Sequence, residues 1–125
     1  MADSIVDTNV LIALFRGNRD LQLFLETLDC AVDTTVYVEL IQGVKNKIEV
    51  ARIERALATF QMMHFNESIS AHTIDLIRTY SKSHGLLLAD AIIAATCLEN
   101  GLTLVTFNAK DFRFIKGLKI SVPKL

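Results

Sequence analysis

The chain has few of the residues that break, link or cross-link a fold. Its 125 residues include one Pro, five Gly, two Cys and no Trp. With no low-complexity run and no internal repeat, this composition argues against a linker or a repeat array. Cys30 and Cys97 lie far apart without metal-ligand spacing, which excludes a disulfide framework and indicates reduced thiols. We therefore expect a single domain over residues 1–125.

Long apolar runs are also missing. No stretch approaches the roughly 18 residues that a membrane span needs, and the opening Met-Ala-Asp-Ser has no basic region before an apolar one. We therefore expect a cytoplasmic protein that makes no contact with a membrane. The formal net charge of −1 excludes a strongly basic protein. Most basic residues nevertheless fall in two segments, where they would be either solvated faces or phosphate contacts: Lys45, Lys47, Arg52 and Arg55, then Lys110, Arg113, Lys116 and Lys119.

Short β-branched runs alternate with helical patterns along the chain. Strands are predicted at "SIVD", "CAVDTT", "MMHF", "LTLVTF" and "LKISV". Between them, apolar residues recur at intervals of three and four, which predicts helices in "TNVLIALF", "DLQLFLETL", "VYVELIQGV", "IEVARIERALATF", "SISAHTIDLIRTYSKSH" and "LADAIIAATCLENG". Parallel strands need crossovers, and helices supply them. The predicted fold class is α/β, with a mostly parallel sheet covered by helices on both faces.

Three acids have apolar neighbours on both sides: Asp7 in "SIVDTNVLIALF", Glu39 in "VYVELIQGV" and Asp90 in "LLLADAIIAA". Burying an ionised carboxylate costs several kcal/mol unless a partner or a cation offsets it. Taken alone, Asp7 is more simply explained by helix capping, in which either Asp7 is the cap itself or it turns the chain and Thr8 or Asn9 caps the following helix. Asp90 taken alone is more simply explained as a first-turn acid that complements a helix dipole. Glu39 begins no capping box, so its position is harder to explain structurally.

The fourth predicted strand ends in polar residues. Thr106 and Asn108 follow it, and Asp111 comes three residues after Asn108. In open parallel sheets, sites form beyond the carboxyl ends of the strands where strand order reverses. If the first and fourth strands are neighbours, these residues meet Asp7 there, and the resulting cluster of oxygen ligands suits a hard divalent cation. Asp33 is interpreted as a turn residue, and the three histidines as structural or surface residues: His64, His72 and His84.

Three segments together closely resemble the PIN-domain family and, within it, the VapC-type toxins of toxin–antitoxin pairs. They are "IVDTNVLIALF", "TTVYVELIQGV" and "LLLADAIIAATCLENGLTLVTFNAKDFRFI", and the resemblance extends to about Leu118. It implies a three-layer α/β/α sandwich with a central parallel sheet, and metal-dependent endoribonuclease activity on cellular RNA. It also implies a homodimer, and inhibition by a cognate antitoxin whose tail enters the groove of the active site.

By motif, Asp7, Glu39 and Asp90 match the three acidic positions of the family. Many members have Asp where this chain has Asn108, so the fourth acid is either Asp111 or absent. The expected catalytic and metal-binding set is therefore the four carboxylates Asp7, Glu39, Asp90 and Asp111.

The expected chemistry is that of a carboxylate cluster with a bound metal ion. Such a cluster binds Mg²⁺ or Mn²⁺, which activates water for in-line attack on a phosphodiester. Thr106 and Asn108 would orient ligands or phosphate without adding charge, and Asn9 would steady Asp7.

Three other interpretations carry different expectations. A PIN-like scaffold that binds RNA or a partner without cleaving it stays open because of Asn108. A receiver-like phospho-acceptor would need paired acids after the first strand and an Asp ending the third, where this chain has "MMHFNE". A phosphatase of the haloacid-dehalogenase type would need Asp-x-Asp in place of "DTN". We rank the phosphatase lowest.

Overall fold

The computed structural model of the protein describes residues 1–124, and within that range it contains five strands and six α-helices. The elements in chain order are β1 (Ser4–Val6), α1 (Thr8–Phe15), α2 (Arg19–Glu26), β2 (Cys30–Asp33), α3 (Thr34–Gln42), α4 (Lys47–Leu57), β3 (Gln61–Met63), α5 (Glu67–His84), α6 (Leu88–Asn100), β4 (Thr103–Val105) and β5 (Ile120–Ser121). A single 3₁₀ turn, Ala109–Asp111, lies between β4 and β5.

The strands form one parallel sheet in the order β3-β2-β1-β4-β5. β1 is central and pairs with β2 on one side and with β4 on the other, in a register that aligns Val6 with Val105. The order reverses after β3, because the chain returns to the other side of β1 to form β4. The predicted α/β class, with a parallel sheet flanked by helices, is confirmed.

The core lies against the central strands. Ile5, Val6, Leu104 and Val105 are fully buried, which is why β1 and β4 are continuous apolar runs rather than alternating ones. Each such side chain contributes about 1.5–3 kcal/mol through its removal from water. Helix α6 is buried around most of its circumference. Its Cys97 packs as a small apolar residue, and burial raises the pKa of that thiol, so the thiol is unreactive at neutral pH.

Helix boundaries follow from the capping residues. Gly101 ends α6 with φ 65°, a left-handed conformation that glycine adopts without strain. The predicted second strand extended through Thr35, whereas α3 begins at Thr34. The Asp33 carboxylate accepts a hydrogen bond from the Val36 backbone N–H at 2.8 Å and so starts the helix immediately after the strand. An alternation of apolar residues does not reveal this change.

Within the described part of the chain, no helix combines the length and the apolar character that crossing a membrane requires.

Candidate active site

The site lies where β1 and β4 end side by side. The Asp7 backbone N–H donates to the Val105 carbonyl at 2.9 Å, which continues the pairing of the two strands by one residue. The Thr106 hydroxyl then donates to Asp7 Oδ2 at 2.8 Å, although the two residues are 99 positions apart in the sequence. The neighbouring strands required by the sequence hypothesis are therefore present, and they place Thr106 beside Asp7.

Asp7 is held on both carboxylate oxygens. Oδ1 accepts from the Thr8 backbone N–H at 2.8 Å, so the residue caps α1, and Oδ2 accepts from Thr106. The side chain is buried, and burial raises its pKa, as do the negative charges of Glu39 and Asp111, while the two hydrogen bonds act in the opposite direction. The capping role and the clustered position, considered as alternatives from the sequence, occur together.

Glu39 reaches the same place from α3. Its Oε1 accepts a hydrogen bond from the Thr8 hydroxyl at 2.7 Å, and its side chain is exposed. Thr8 therefore contacts both acids, through its backbone N–H to Asp7 and through its hydroxyl to Glu39. Sequence reasoning considered Thr8 only as a helix cap. Its position next to Asp7 in "DTN" was the signal available for a role in positioning.

Asp90 lies in the first turn of α6 and is half-buried. Burial raises the pKa of its carboxyl to about 6, and the negative charges of Asp7, Asp111 and Glu39 add to the rise. The charges of Asp7, Asp111 and Glu39 therefore all act on Asp90. Across residues 1–124, no ion pair includes any of them. The cluster is therefore negatively charged and is not balanced by Lys or Arg.

Asn108 and Asp111 are the two residues considered for the fourth acidic position of the site. The 3₁₀ turn Ala109–Asp111 follows Asn108 directly, so Asp111 stays within one helical turn of Asn108. The side chain of Asp111 is exposed and makes no hydrogen bond among the described residues, so it caps no turn there. The Asn108 backbone N–H donates to the Thr106 hydroxyl at 3.0 Å, and the Asn108 side chain is exposed. The Thr106 hydroxyl thus links the Asn108 backbone to the Asp7 carboxylate.

Asn9 has a different contact from the one expected. Its Oδ1 accepts from the Phe107 backbone N–H at 3.4 Å, and no hydrogen bond joins Asn9 to Asp7 within the described range. Asn9 therefore fastens α1 to the chain after β4, and it can influence Asp7 only through the position of that helix.

Asp33 is the acid that sequence reasoning underestimated. It ends β2 next to β1, is fully buried, and has one carboxylate oxygen, Oδ2, without a hydrogen-bond partner in the described structure. Burial raises the pKa of Asp33 to about 6, and the negative charge of Asp7 adds to this rise. The residue is a buried helix cap rather than a simple turn residue. Its place at the end of the predicted second strand was the only signal available in the sequence.

The donor chemistry of the cluster suits a hard divalent cation. Four carboxylates that repel one another offer oxygen ligands only, and Mg²⁺ and Mn²⁺ prefer such ligands. Over residues 1–124, no three side chains among His, Cys, Asp and Glu stand close enough to hold one ion together. Mg²⁺ commonly binds through one or two carboxylates and keeps several waters, so this arrangement fits that ion. The histidines lie outside the cluster: His72, for example, pairs with Glu99 at 2.7 Å.

Replacement of Asp90 by Asn is expected to stabilise the metal-free protein by about 1–2 kcal/mol at pH 7.5. The carboxyl of Asp90 has a pKa raised to about 6, so its contribution to stability is present at low pH and is lost as the pH rises through 6. Asn has no proton to lose, so it gains no negative charge as the pH rises. Urea unfolding in EDTA at pH 4.5 and 7.5 measures the gain, which should shrink at the lower pH.

The matched control for that experiment is Asp75→Asn, which removes a carboxylate from an exposed pair with Arg78. It should change stability by less than about 1 kcal/mol. A marked loss of stability in Asp90→Asn would show instead that the interaction of Asp90 with the α6 dipole outweighs the repulsion within the cluster.

The sequence matches the family model of the PIN domain over residues 4–118. The chain belongs to the PIN domain family, and its parallel α/β sheet flanked by helices is PIN-like. It is 32% identical over 120 residues to Ribonuclease VapC10 of Mycobacterium tuberculosis, covering 92% of this chain and 90% of that protein. Over 124 residues it is 29% identical to Ribonuclease VapC1 of Rickettsia felis, covering 93% and 92%.

A solved toxin–antitoxin complex from Klebsiella pneumoniae contains a chain with the same architecture. The TM-score is 0.81 at 33% sequence identity, and the alignment covers 97% of this chain and 98% of that chain. Within the PIN family, the protein is a VapC-type ribonuclease toxin of a VapBC toxin–antitoxin pair.

Proposed function

We propose that the protein is an endoribonuclease whose activity depends on Mg²⁺ or Mn²⁺, and that Asp7, Glu39, Asp90 and Asp111 form its catalytic and metal-binding site. The observation that carries the proposal is the meeting of acids at one sheet edge, where Thr8 contacts both Asp7 and Glu39, and where no Lys or Arg of the described chain forms an ion pair with them. Burial and nearby negative charges raise the pKa of Asp7 and of Asp90 there. A cluster that costs free energy when empty gains stability when it binds a cation.

The four acids have different parts in the proposed site. Asp7 and Asp90 are the most buried of them and would hold the cation, with Glu39 and Asp111 at the exposed side where RNA arrives. A bound Mg²⁺ or Mn²⁺ would supply a lowered water pKa and charge stabilisation at the phosphate. Thr106 orients Asp7, because its hydroxyl donates to one carboxylate oxygen and is itself fixed by the Asn108 N–H. Thr8 orients Glu39 in the same way.

The proposed partners are an RNA substrate, a cognate antitoxin and a second copy of the chain. A groove beside the cluster supports the proposal of an antitoxin, because Ile12, Phe15 and Leu40 line this groove next to Glu39.

A second surface supports the proposal of a homodimer. An exposed apolar strip with Phe65, Ile74 and Leu88 is a surface that a second copy would cover, and sedimentation velocity measures the oligomeric state. A cytoplasmic location follows from the proposal because the RNA is there. One PIN domain would carry the whole activity.

Cleavage of RNA by the purified protein is expected only in the presence of Mg²⁺ or Mn²⁺, because the cluster has no covalent nucleophile and repels phosphate when it is empty. Gel analysis of total cellular RNA, with and without EDTA, tests this. Full activity in excess EDTA would contradict the metal mechanism. Binding of RNA without cleavage in Mg²⁺ and in Mn²⁺ would instead favour the inactive scaffold.

The fourth acid is tested by titration of Mn²⁺ in a calorimeter. Asp111→Asn should weaken Mn²⁺ binding by about tenfold or more, because it removes one carboxylate from the cluster. Asn108→Asp should strengthen binding, because it adds a carboxylate at the end of the same strand. Unchanged affinity in Asp111→Asn would leave Asp7, Glu39 and Asp90 as the only acidic ligands.

A further inference from the structure

Three aromatic rings form a cluster at the end of α5. The rings of His84 and Phe114 are stacked, with centroids 4.4 Å apart and planes at 11°. Tyr80 meets both rings edge-on, at 5.7 Å from His84 and 5.3 Å from Phe114. The Tyr80 hydroxyl also accepts a hydrogen bond from the Lys116 backbone N–H at 3.2 Å. Tyr80 and Phe114 are partly buried, so packing of α5 against the chain after β4 explains the presence of these two rings.

The same packing does not explain the presence of the His84 ring. This residue is exposed and ends α5. The ring is nevertheless fixed, because Phe114 covers one face and the Ser83 hydroxyl lies 2.7 Å from Nδ1. A rigid, exposed aromatic ring binds a flat partner at a low entropic cost.

Three basic residues neighbour this stack in the sequence. Lys82 lies in the last turn of α5, and Arg113 and Lys116 flank Phe114. All three are exposed, and none takes part in an ion pair in the portion of the chain that the structure describes. Arg113 and Lys116 belong to the second basic segment of the sequence, for which charge alone favoured solvated faces over phosphate contacts. An aromatic ring amid unpaired cations is the arrangement that binds single-stranded nucleic acid.

Both stacked rings are connected directly to the acidic cluster. Only residues 85–87 separate His84 from α6, whose first turn carries Asp90. Phe114 follows Asp111 by three residues, and three residues of chain span at most about 11 Å. A nucleotide near the acids would therefore have neighbours within reach of the stack.

We propose that the stacked pair His84–Phe114 is a platform on which an unpaired base of the RNA substrate stacks, while Lys82, Arg113 and Lys116 contact the adjacent phosphates. The inference rests on the proposed function, because it takes RNA to be the ligand of the neighbouring cluster. It adds a preference for single-stranded segments, such as loops, whose bases are free to stack on a protein ring.

The test measures the affinity of the full chain for a fluorescent single-stranded RNA by anisotropy, in EDTA so that no cleavage occurs. His84→Leu should weaken binding about 5- to 150-fold, the fold-change of losing one base–aromatic stack. His84→Trp should bind at least as well as the natural chain, because it keeps an aromatic face. The matched control is His64→Leu, the same change at an exposed histidine outside the cluster, and it should leave the affinity unchanged.

A merely structural role of His84 is separated by two further measurements. Affinity for a fully paired RNA duplex of the same sequence should change little in His84→Leu, whereas loss of local structure would lower both affinities. Photo-crosslinking of 4-thiouridine RNA to the natural chain should label the peptides that contain His84 or Phe114, and this needs no variant.

Equal single-strand affinity of His84→Leu and the natural chain would overturn the proposal, and so would crosslinks confined to other peptides. Failure of the proposed function has a different result, namely His84-dependent binding without any cleavage in Mg²⁺ or Mn²⁺. Cleavage in Mg²⁺, together with an RNA affinity that does not change in His84→Leu, would contradict the stacking platform but not the proposed function.

Discussion

An Asp7→Asn variant is expected to fold normally and to lose RNA cleavage by about 10³-fold. The Asn side chain can still accept from the Thr8 N–H, since Asn caps helices as well as Asp does. Its amide N–H₂ can donate to the Thr106 hydroxyl, which has lone pairs to accept it. The structure therefore tolerates the change, whereas the negative charge that would hold a cation is gone. Several kcal/mol of transition-state stabilisation correspond to a loss of this size.

Two measurements check that result. Cleavage of RNA is followed in Mg²⁺, and growth is followed when the chain is expressed without an antitoxin, where the natural sequence should arrest cells and Asp7→Asn should not. Asp75→Asn is the control, because it makes the same chemical change in an exposed ion pair on α5. Equal cleavage by the Asp7 variant and the natural chain would remove Asp7 from the catalytic site.

Thr106→Val is expected to destabilise the protein by about 1–3 kcal/mol and to reduce cleavage about 10- to 100-fold. Thr106 is fully buried, and its hydroxyl both donates to Asp7 and accepts from the Asn108 N–H. Val has nearly the same shape but leaves both groups without that partner. The hydrogen bond from Thr106 lowers the pKa of Asp7, so its loss raises that pKa further and should move the rise of activity to higher pH.

Thr106→Ser is the matched control, because it keeps the hydroxyl and removes only a methyl group. It should retain the pH profile of cleavage, although the small cavity costs some stability. A Val variant that matched the Ser variant in its pH profile would show that Thr106 acts through packing alone. Chemical denaturation and a cleavage series from pH 5 to 9 provide both readouts.

The candidate site illustrates how structural and functional demands coincide in single residues. Asp7 caps α1 and Asp90 lies in the first turn of α6, so each carboxylate has a local structural explanation. Burial and mutual repulsion nevertheless raise the pKa of both above the ordinary value for Asp. A helix cap needs no such repulsion, since a neutral Ser or Asn does the same work. The choice of acids at both positions is therefore consistent with a cation between them.

Local pattern alone predicted the class of the fold and singled out Asp7, Glu39 and Asp90 as acids with apolar neighbours. The spacing of apolar residues that marks a helix, and the short β-branched run that marks a strand, are properties of residues that are neighbours in the sequence. The helix in "TNVLIALF" and the strand in "LTLVTF" were therefore predictable without reference to the rest of the chain. An acid surrounded by apolar residues, such as Asp90, is likewise visible in a single sequence, because burying its charge is costly wherever the chain goes.

Contacts between distant residues were decided only by the tertiary structure. The bond from Thr106 to Asp7 and the bond from Thr8 to Glu39 depend on which strand and which helix become neighbours. The burial of Asp33 depends on β2 lying between β1 and β3. Residues far apart in the chain meet because whole elements pack to remove apolar surface from water, and the packing partner of an element is not encoded in its own spacing.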